Sequence, residues 1–188
     1  MSSDWQEIGV LDVFDVRNGL TKKREEFGFG EPFVAFKDVF NNYFIPSELE
    51  SLANTSDKEQ RKYSIKKGDV LITRTSENFK ELGMTSVALK DYPGATYNGF
   101  TKRLRPKKEF GLNPEYLGFF FRSPFFRRQI LSLTTMTTRA SLNNEMLARL
   151  KIRIPSPEEQ NKIAEVLGSC HEKIHLNQQT NETLEAMA

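Results

Sequence analysis

Residues 171–175 read HEKIH, so His171, Glu172 and His175 satisfy the H-E-x-x-H pattern to the letter. On a helix, histidines four residues apart share a face and can ligate one zinc ion, with the glutamate as general base. That chemistry also needs a cleft, a third ligand and a supporting shell. These two histidines are the only ones in the chain, and they flank Cys170 and Ile174 on what the spacing makes an interhelical seam. The single cysteine, Cys170, allows neither an internal disulfide nor a cysteine metal cage. A P-loop, a G-x-G-x-x-G turn and a G-x-S-x-G elbow are all missing. The residues therefore select no catalytic group, no metal set and no cofactor, and a zinc hydrolase stands only as the enzymatic alternative to a binding protein.

The element that carries HEKIH spans 155–188. Ser156 is placed to cap a helix whose first residue is Pro157, where the missing proline N–H costs nothing, and Glu158 and Glu159 suit the positive end of the dipole. Ile163, Leu167, Cys170, Ile174, Asn177, Asn181, Leu184 and Ala188 then alternate steps of four and three, a heptad seam. Gly168 lies off the seam and costs about 1 kcal/mol against alanine, so packing has to hold the helix. The two asparagines would fix register at some cost in stability, and Cys170 is expected to be a small buried apolar residue. Thirty residues of helix run about 45 Å, more than one compact body covers. The expectation is dimerisation through the seam, against the simpler alternative of a terminal helix folded back on its own domain.

Charge divides along the same line. Residues 1–157 hold 25 Lys/Arg against 19 Asp/Glu, and residues 158–188 hold 2 against 6, so a body at +6 precedes a helix at −4. Such a body suits a polyanion and such a helix suits a protein partner. With 188 residues and 15 phenylalanines the chain can bury one aromatic core plus an appendage. No signal peptide or long apolar run is present, and a cytoplasmic protein is expected. The predicted architecture is α+β: a mixed-sheet body over 1–154 and a long coiled-coil-type helix over 155–188.

Within the body, Trp5 to Val16 fits a helical turn feeding a strand, and Arg17-Asn18-Gly19 turns the chain. Lys22, Lys23 and Arg24 sit in an exposed charged loop. Pro32 to Phe40 reads as a strand with a bulge or turn near Lys37-Asp38, and Glu48 to Lys62 as polar, helix-compatible and outside the core. Lys67-Gly68-Asp69 turns into the apolar run Val70-Leu71-Ile72, a buried strand. The polar loop after it presents Arg74, Ser76 and Asn78. Met84 to Leu89 and Tyr97 to Leu104 read as further strands, the second running into Lys102, Arg103, Arg105, Lys107 and Lys108, the densest positive stretch. Asn113-Pro114 and Pro124 start two helices whose phenylalanines, at helical spacing, belong to the core rather than to base stacking. A hydroxyl-rich loop, 134–144, surrounds Arg139, and hydroxyls with one arginine suit reading a DNA groove. Lys22, Lys23, Arg24, Lys102 and Arg103 are the expected phosphate contacts; Arg74, Ser76, Asn78 and Arg139 are the expected base readers.

The order of these motifs resembles a known family. WQEIGVLDVFDVRNG, KKGDVLITRTSEN, NPEYLGFFFRS and the stretch LNNEMLARLKIRIPSPEEQNKIAEVLGSCHEKIHLNQQTNETLEAM are similar to the specificity subunit of type I restriction-modification systems, over essentially the whole chain. The resemblance implies a target recognition domain that reads one half of a two-part duplex DNA sequence, next to a long helical spacer. A typical member has two such domains and two spacers, so the chain is expected to be half a subunit that homodimerises. Methyltransferase subunits, holding S-adenosylmethionine, and indirectly restriction subunits are the implied partners, with no catalysis in this chain. A helix-mediated scaffold that does not bind DNA is the structural alternative.

Overall fold

The computed structural model describes residues 5–76, 81–133 and 140–187. Its centre is the run Val70-Leu71-Ile72-Thr73, which forms β5 (Val70–Thr73) and is buried on both faces. β5 lies between β9 (Thr101–Pro106) and β7 (Thr85–Val87), and β2 (Phe14–Asn18) pairs with the far side of β9, giving an antiparallel sheet ordered β2-β9-β5-β7. The charged strand β9 is thus an interior strand. Alternation sends its side chains to opposite faces, Lys102 and Leu104 one way, Arg103 and Arg105 the other.

One face is covered by α4 (Pro114–Arg122), α5 (Pro124–Leu133) and α6 (Asn144–Arg149). Val10, Phe14, Val70, Ile72 and Leu104 meet Leu117, Phe121, Phe126, Ile130 and Leu147 there in the main core. As expected, the phenylalanines are structural: Phe121 packs edge-on to Phe126 at 4.7 Å and to Phe14 at 5.6 Å. Asn113 caps α4, its Oδ1 accepting from Glu115 N at 2.8 Å and Tyr116 N at 3.1 Å, with Pro114 following. The other face carries a smaller core of Leu71, Ile65, Val34, Val39 and Tyr97. It lies under a three-stranded sheet in which β3 (Phe27–Val34) pairs antiparallel with β4 (Leu52–Ala53) and parallel with β8 (Thr96–Tyr97).

Three local expectations change. The strand expected over Pro32 to Phe40 stops at Val34, and at the bulge or turn expected near Lys37-Asp38 the chain enters α2 (Phe36–Asn41), because Asp38 accepts the Ala35 N–H at 2.9 Å and starts a helix. The strand expected from Tyr97 to Leu104 breaks into β8 and β9 at Asn98-Gly99-Phe100, where Asn98 Oδ1 accepts the Phe100 N–H at 2.9 Å. Within the polar stretch Glu48 to Lys62, which contains α3 (Asp57–Lys62), Ala53 is fully buried.

The C-terminal helix is α7 (Pro157–Met187). Ser156 caps it as expected, and Glu159 turns the cap into a reciprocal box: Ser156 Oγ accepts the Glu159 N–H at 3.3 Å and Glu159 Oε2 accepts the Ser156 N–H at 3.2 Å. Gln160 and Ala164 are buried. Ile163 and Leu167, at the head of the seam, line an apolar groove of about 220 Å³ with Trp5, Phe119, Phe120 and Phe125, so the body itself takes this end of the ridge. Cys170 is exposed, a correction to its expected burial, because the body does not reach that position. From Glu172 to Met187 every residue is exposed, Ile174 at 58% and Leu184 at 59%. Among the described residues no helix is long and apolar enough to cross a membrane.

Candidate functional site

Three strands of the central sheet reach the same end. Asn18, the last residue of β2, pairs with Lys102, and Thr73, the last of β5, pairs with Thr101, the first of β9. The segments after Asn18 and Thr73 and the Asn98–Phe100 turn therefore leave the sheet side by side. Close approach here demands glycine: a Cβ on Gly19 would lie 1.9 Å from the Asn98 carbonyl oxygen. A fourth segment is tied in by a ladder of two two-residue strands, β6 (Thr75–Ser76) and β10 (Ala140–Ser141), continued by Leu142 N–H donating to Arg74 O at 2.7 Å. The described ends of the two segments, 74–76 and 140–142, thus lie side by side, although Ser76 and its partner Ala140 are 64 positions apart in sequence.

Lys102 lies beneath this surface. It is only 5% exposed, and its Nζ donates to Asn18 Oδ1 at 2.9 Å and to Asn144 Oδ1 at 2.8 Å. Burial, and after it the charge of Arg74, hold its pKa below the ordinary lysine value. Both oxygens are neutral amides, so they solvate the ammonium without cancelling its charge. Arg74 is half-buried, and its Nε has no hydrogen-bond partner among the described residues. Phe100, 63% exposed, stands at the tip of the turn beside them, its carbonyl accepting the Arg74 N–H at 2.8 Å. A neutral amide pair, two cations and an exposed ring suit an anionic polymer that carries flat groups, by charge, hydrogen bonding and stacking.

The structure redistributes the expected phosphate contacts. Arg103 is 6% exposed, donates through Nη1 to Ser64 O at 2.6 Å and has its Nε 4.0 Å from Asp69 Oδ2. Arg105 grips the same buried carboxylate through Nε at 2.7 Å and Nη2 at 2.6 Å, which raises its pKa. Lys107 donates to the Asp12 carbonyl at 2.8 Å. Of the five cations from Lys102 to Lys108 only Lys108 is exposed, because β9 is flanked on both sides. Arg103 is thereby corrected from surface cation to core ion, and Lys102 from phosphate contact to the floor of the loop cluster. Lys22 is likewise corrected: Glu26 at 3.1 Å and Glu59 at 3.0 Å pair with it. Lys23 and Arg24 remain exposed. Ser76 sits on β6 by its backbone; Asn78 and Arg139 lie outside the described residues. Asn18, Asn144 and Phe100 escaped the sequence reading as site residues, since Asn18 reads as a turn residue, Phe100 as part of a strand, and Asn144 only as the end of the 134–144 loop, where Arg139 alone was singled out.

The HEKIH residues lie well away, on α7. His171 is half-buried against Tyr43, Phe44 and Phe119, with ring centroids at 5.2, 5.8 and 6.2 Å, and His175 Nε2 lies 3.1 Å from Gln179 Nε2. Among the described residues no three His, Cys, Asp or Glu side chains converge as metal ligands would.

Residues 2–186 match the model of the type I restriction modification DNA specificity domain. The specificity subunit of type I restriction enzyme MjaIX of Methanocaldococcus jannaschii is 30% identical over 192 residues, covering 98% of this chain and 42% of that protein. A chain from a type I restriction-modification assembly superposes with a TM-score of 0.66 at 20% identity, over 99% of this chain and 43% of the other. The HsdS subunit of Thermoanaerobacter tengcongensis gives 0.62 at 17%, over 96% and 40%. This chain spans about two fifths of the length of these relatives. With the matched model running from residue 2 to residue 186, the chain belongs to the type I restriction-modification DNA specificity family.

Proposed function

We propose that the chain reads one half of a bipartite duplex DNA target with the loop end of its sheet. The observation that carries this reading is the convergence of four separate segments over Lys102, held together by the β6–β10 ladder. Arg74, with Ser76 and Asn78 close to it in sequence and Arg139 next to Ala140 in sequence, reads base edges, and Lys23 and Arg24 meet phosphates. Methyltransferase subunits carrying S-adenosylmethionine dock on the protein and bring restriction subunits with them, in the cytoplasm. Selection from a library of randomised duplexes tests the reading: enrichment of one short motif supports it, and no shift of any duplex at low salt overturns it.

The helix then pairs with a second copy. Ile174 and Leu184 expose an apolar stripe beyond the body, and Asn177 and Asn181 supply register on the same seam, which Cys170, Leu167 and Ile163 continue toward the body. Packed antiparallel, two copies set their basic bodies at opposite ends and read half-sites in inverted orientation across a fixed gap. Sedimentation of the purified protein at tens of micromolar is expected to show a dimer that Asn177→Leu/Asn181→Leu tightens; a monomer overturns the pairing.

A further inference from the structure

The helix α7 is held by the body at two places. At its start, Gln160 Oε1 accepts the Asn113 N–H at 2.9 Å, Gln160 Nε2 donates to Pro155 O at 3.1 Å, and Asn113 Nδ2 donates to Asn161 Oδ1 at 2.8 Å. Three turns later His171, the last half-buried residue of the helix, rests on a cluster in which Tyr43 and Phe44 both pack against Phe119 of α4. Just past it, Ile174, His175 and Gln178 line a groove with Asn41 and Asn42, and every residue from Glu172 to Met187 is exposed.

The ring bracket is built as a fixed object. A Cβ on Gly118 would lie 2.3 Å from Phe44 Cε1, so only glycine on α4 lets that ring seat. The segment carrying Tyr43 and Phe44 is bonded to β7 through Ile45 N to Val87 O at 2.9 Å and Val87 N to Tyr43 O at 3.0 Å. Arg122 lies over the Tyr43 ring at 4.9 Å and donates through Nη2 to the carbonyls of Val39, Phe40 and Asn42 at 2.9, 2.8 and 2.8 Å, and through Nε to Thr85 O at 2.7 Å. A half-buried guanidinium with four carbonyl partners is a costly anchor for an otherwise irregular segment. Its product is a rigid wall of rings for one side chain of α7.

We propose that His171 is the positioning residue that sets the direction of α7, and through it the gap between the two halves of the DNA target. The gap part rests on the reading of the chain as a paired half-site reader. The sixteen helical steps from His171 to Met187 make a lever of about 24 Å. Tilting it by about 10° moves its tip by about 4 Å, more than the roughly 3.4 Å rise of one base pair. Release of the ring therefore blurs the gap without touching the bases read in either half. The i,i+4 pair of HEKIH divides accordingly: His171 is the anchor, and His175 lies on the outer helix.

Two measurements on the full chain test this. In a Cys170→Ser background, spin labels at Lys58→Cys and Glu185→Cys, diluted with unlabelled protein so that distances within one chain are read, should give a narrow distribution. His171→Ala should broaden it, Gly118→Ala should broaden it from the other side of the contact, and His171→Phe should restore it, with helix content by circular dichroism unchanged in the His171 variants. In selection from duplexes with a variable gap, the parent should enrich one gap, His171→Ala adjacent gaps with the same bases in each half, and His171→Phe the single gap again. A narrow distribution in His171→Ala overturns the anchor; a broad one with an unchanged single gap overturns the link to spacing. If the parent enriches no DNA at all, the half-site reading falls and the distance measurement alone decides the anchor.

Discussion

Lys102 and Arg103 are adjacent on β9, equally charged and almost equally buried, yet they belong to different regions. On the Arg103 side, Arg103 and Arg105 close on Asp69, whose carboxylate also accepts the Lys66 N–H at 2.7 Å. Cation and anion cancel there, and the result is architecture. On the Lys102 side the partners are two asparagine oxygens, so a full positive charge stays under a surface of open loops. What a ligand meets is set by what the partner of each cation is, more than by how many cations the strand carries.

The largest effect should come from taking the acid out of the cancelled side. Asp69→Ala leaves Arg103 and Arg105 unpaired in the interior and is expected to lower the unfolding free energy by about 3–5 kcal/mol, read as a drop in the urea midpoint. A loss below about 1 kcal/mol would mean the carboxylate is no keystone. On the uncancelled side, Lys102→Met should hardly move the urea midpoint but reduce discrimination between the selected half-site and a scrambled one by about 1–3 kcal/mol in competition binding. Equal weakening for both duplexes would make Lys102 a general electrostatic contact. The smallest effects separate exposed from paired cations in one loop. Lys23→Ala and Arg24→Ala should each reduce the slope of log affinity against log salt by about one unit, and Lys22→Ala, already paired with Glu26 and Glu59, should leave it unchanged. Equal slopes for all three variants would dissolve the distinction.

Legibility in the sequence followed the range of the interaction. Ser156-Pro157 and Asn113-Pro114 predict their helices because a cap is decided within four residues. Val70-Leu71-Ile72 announces a buried strand by its own composition. The fate of β9 was hidden, since Arg105 meets Asp69 from 36 positions away and a run of cations looks the same beside water or beside a carboxylate. The β6–β10 ladder was hidden for a different reason: two-residue strands of Thr, Ser and Ala carry no hydrophobic period. Asp38 misled in the opposite direction, its capping role resembling turn chemistry inside a β-branched and aromatic stretch.

The ladder between β1 (Gln6–Gly9) and β11 (Lys151–Ile154) has a consequence for inheritance. Gln6 faces Ile154 and Gly9 faces Lys151, so the backbone enters the body and leaves it through one pair of neighbouring strands, directly above the first turn of α7. Everything between Gly9 and Lys151 is a closed excursion from that doorway. A recombination event with both crossovers in the doorway would exchange the entire reading head in one step and leave the stem, with its seam, in register. The head of α7 would feel the graft, because Gln160, Asn161, Ile163, Leu167 and His171 all rest on residues the exchanged body must also provide: a bonding partner at Asn113, the rings of the groove, and the angled ring cluster seated against Gly118.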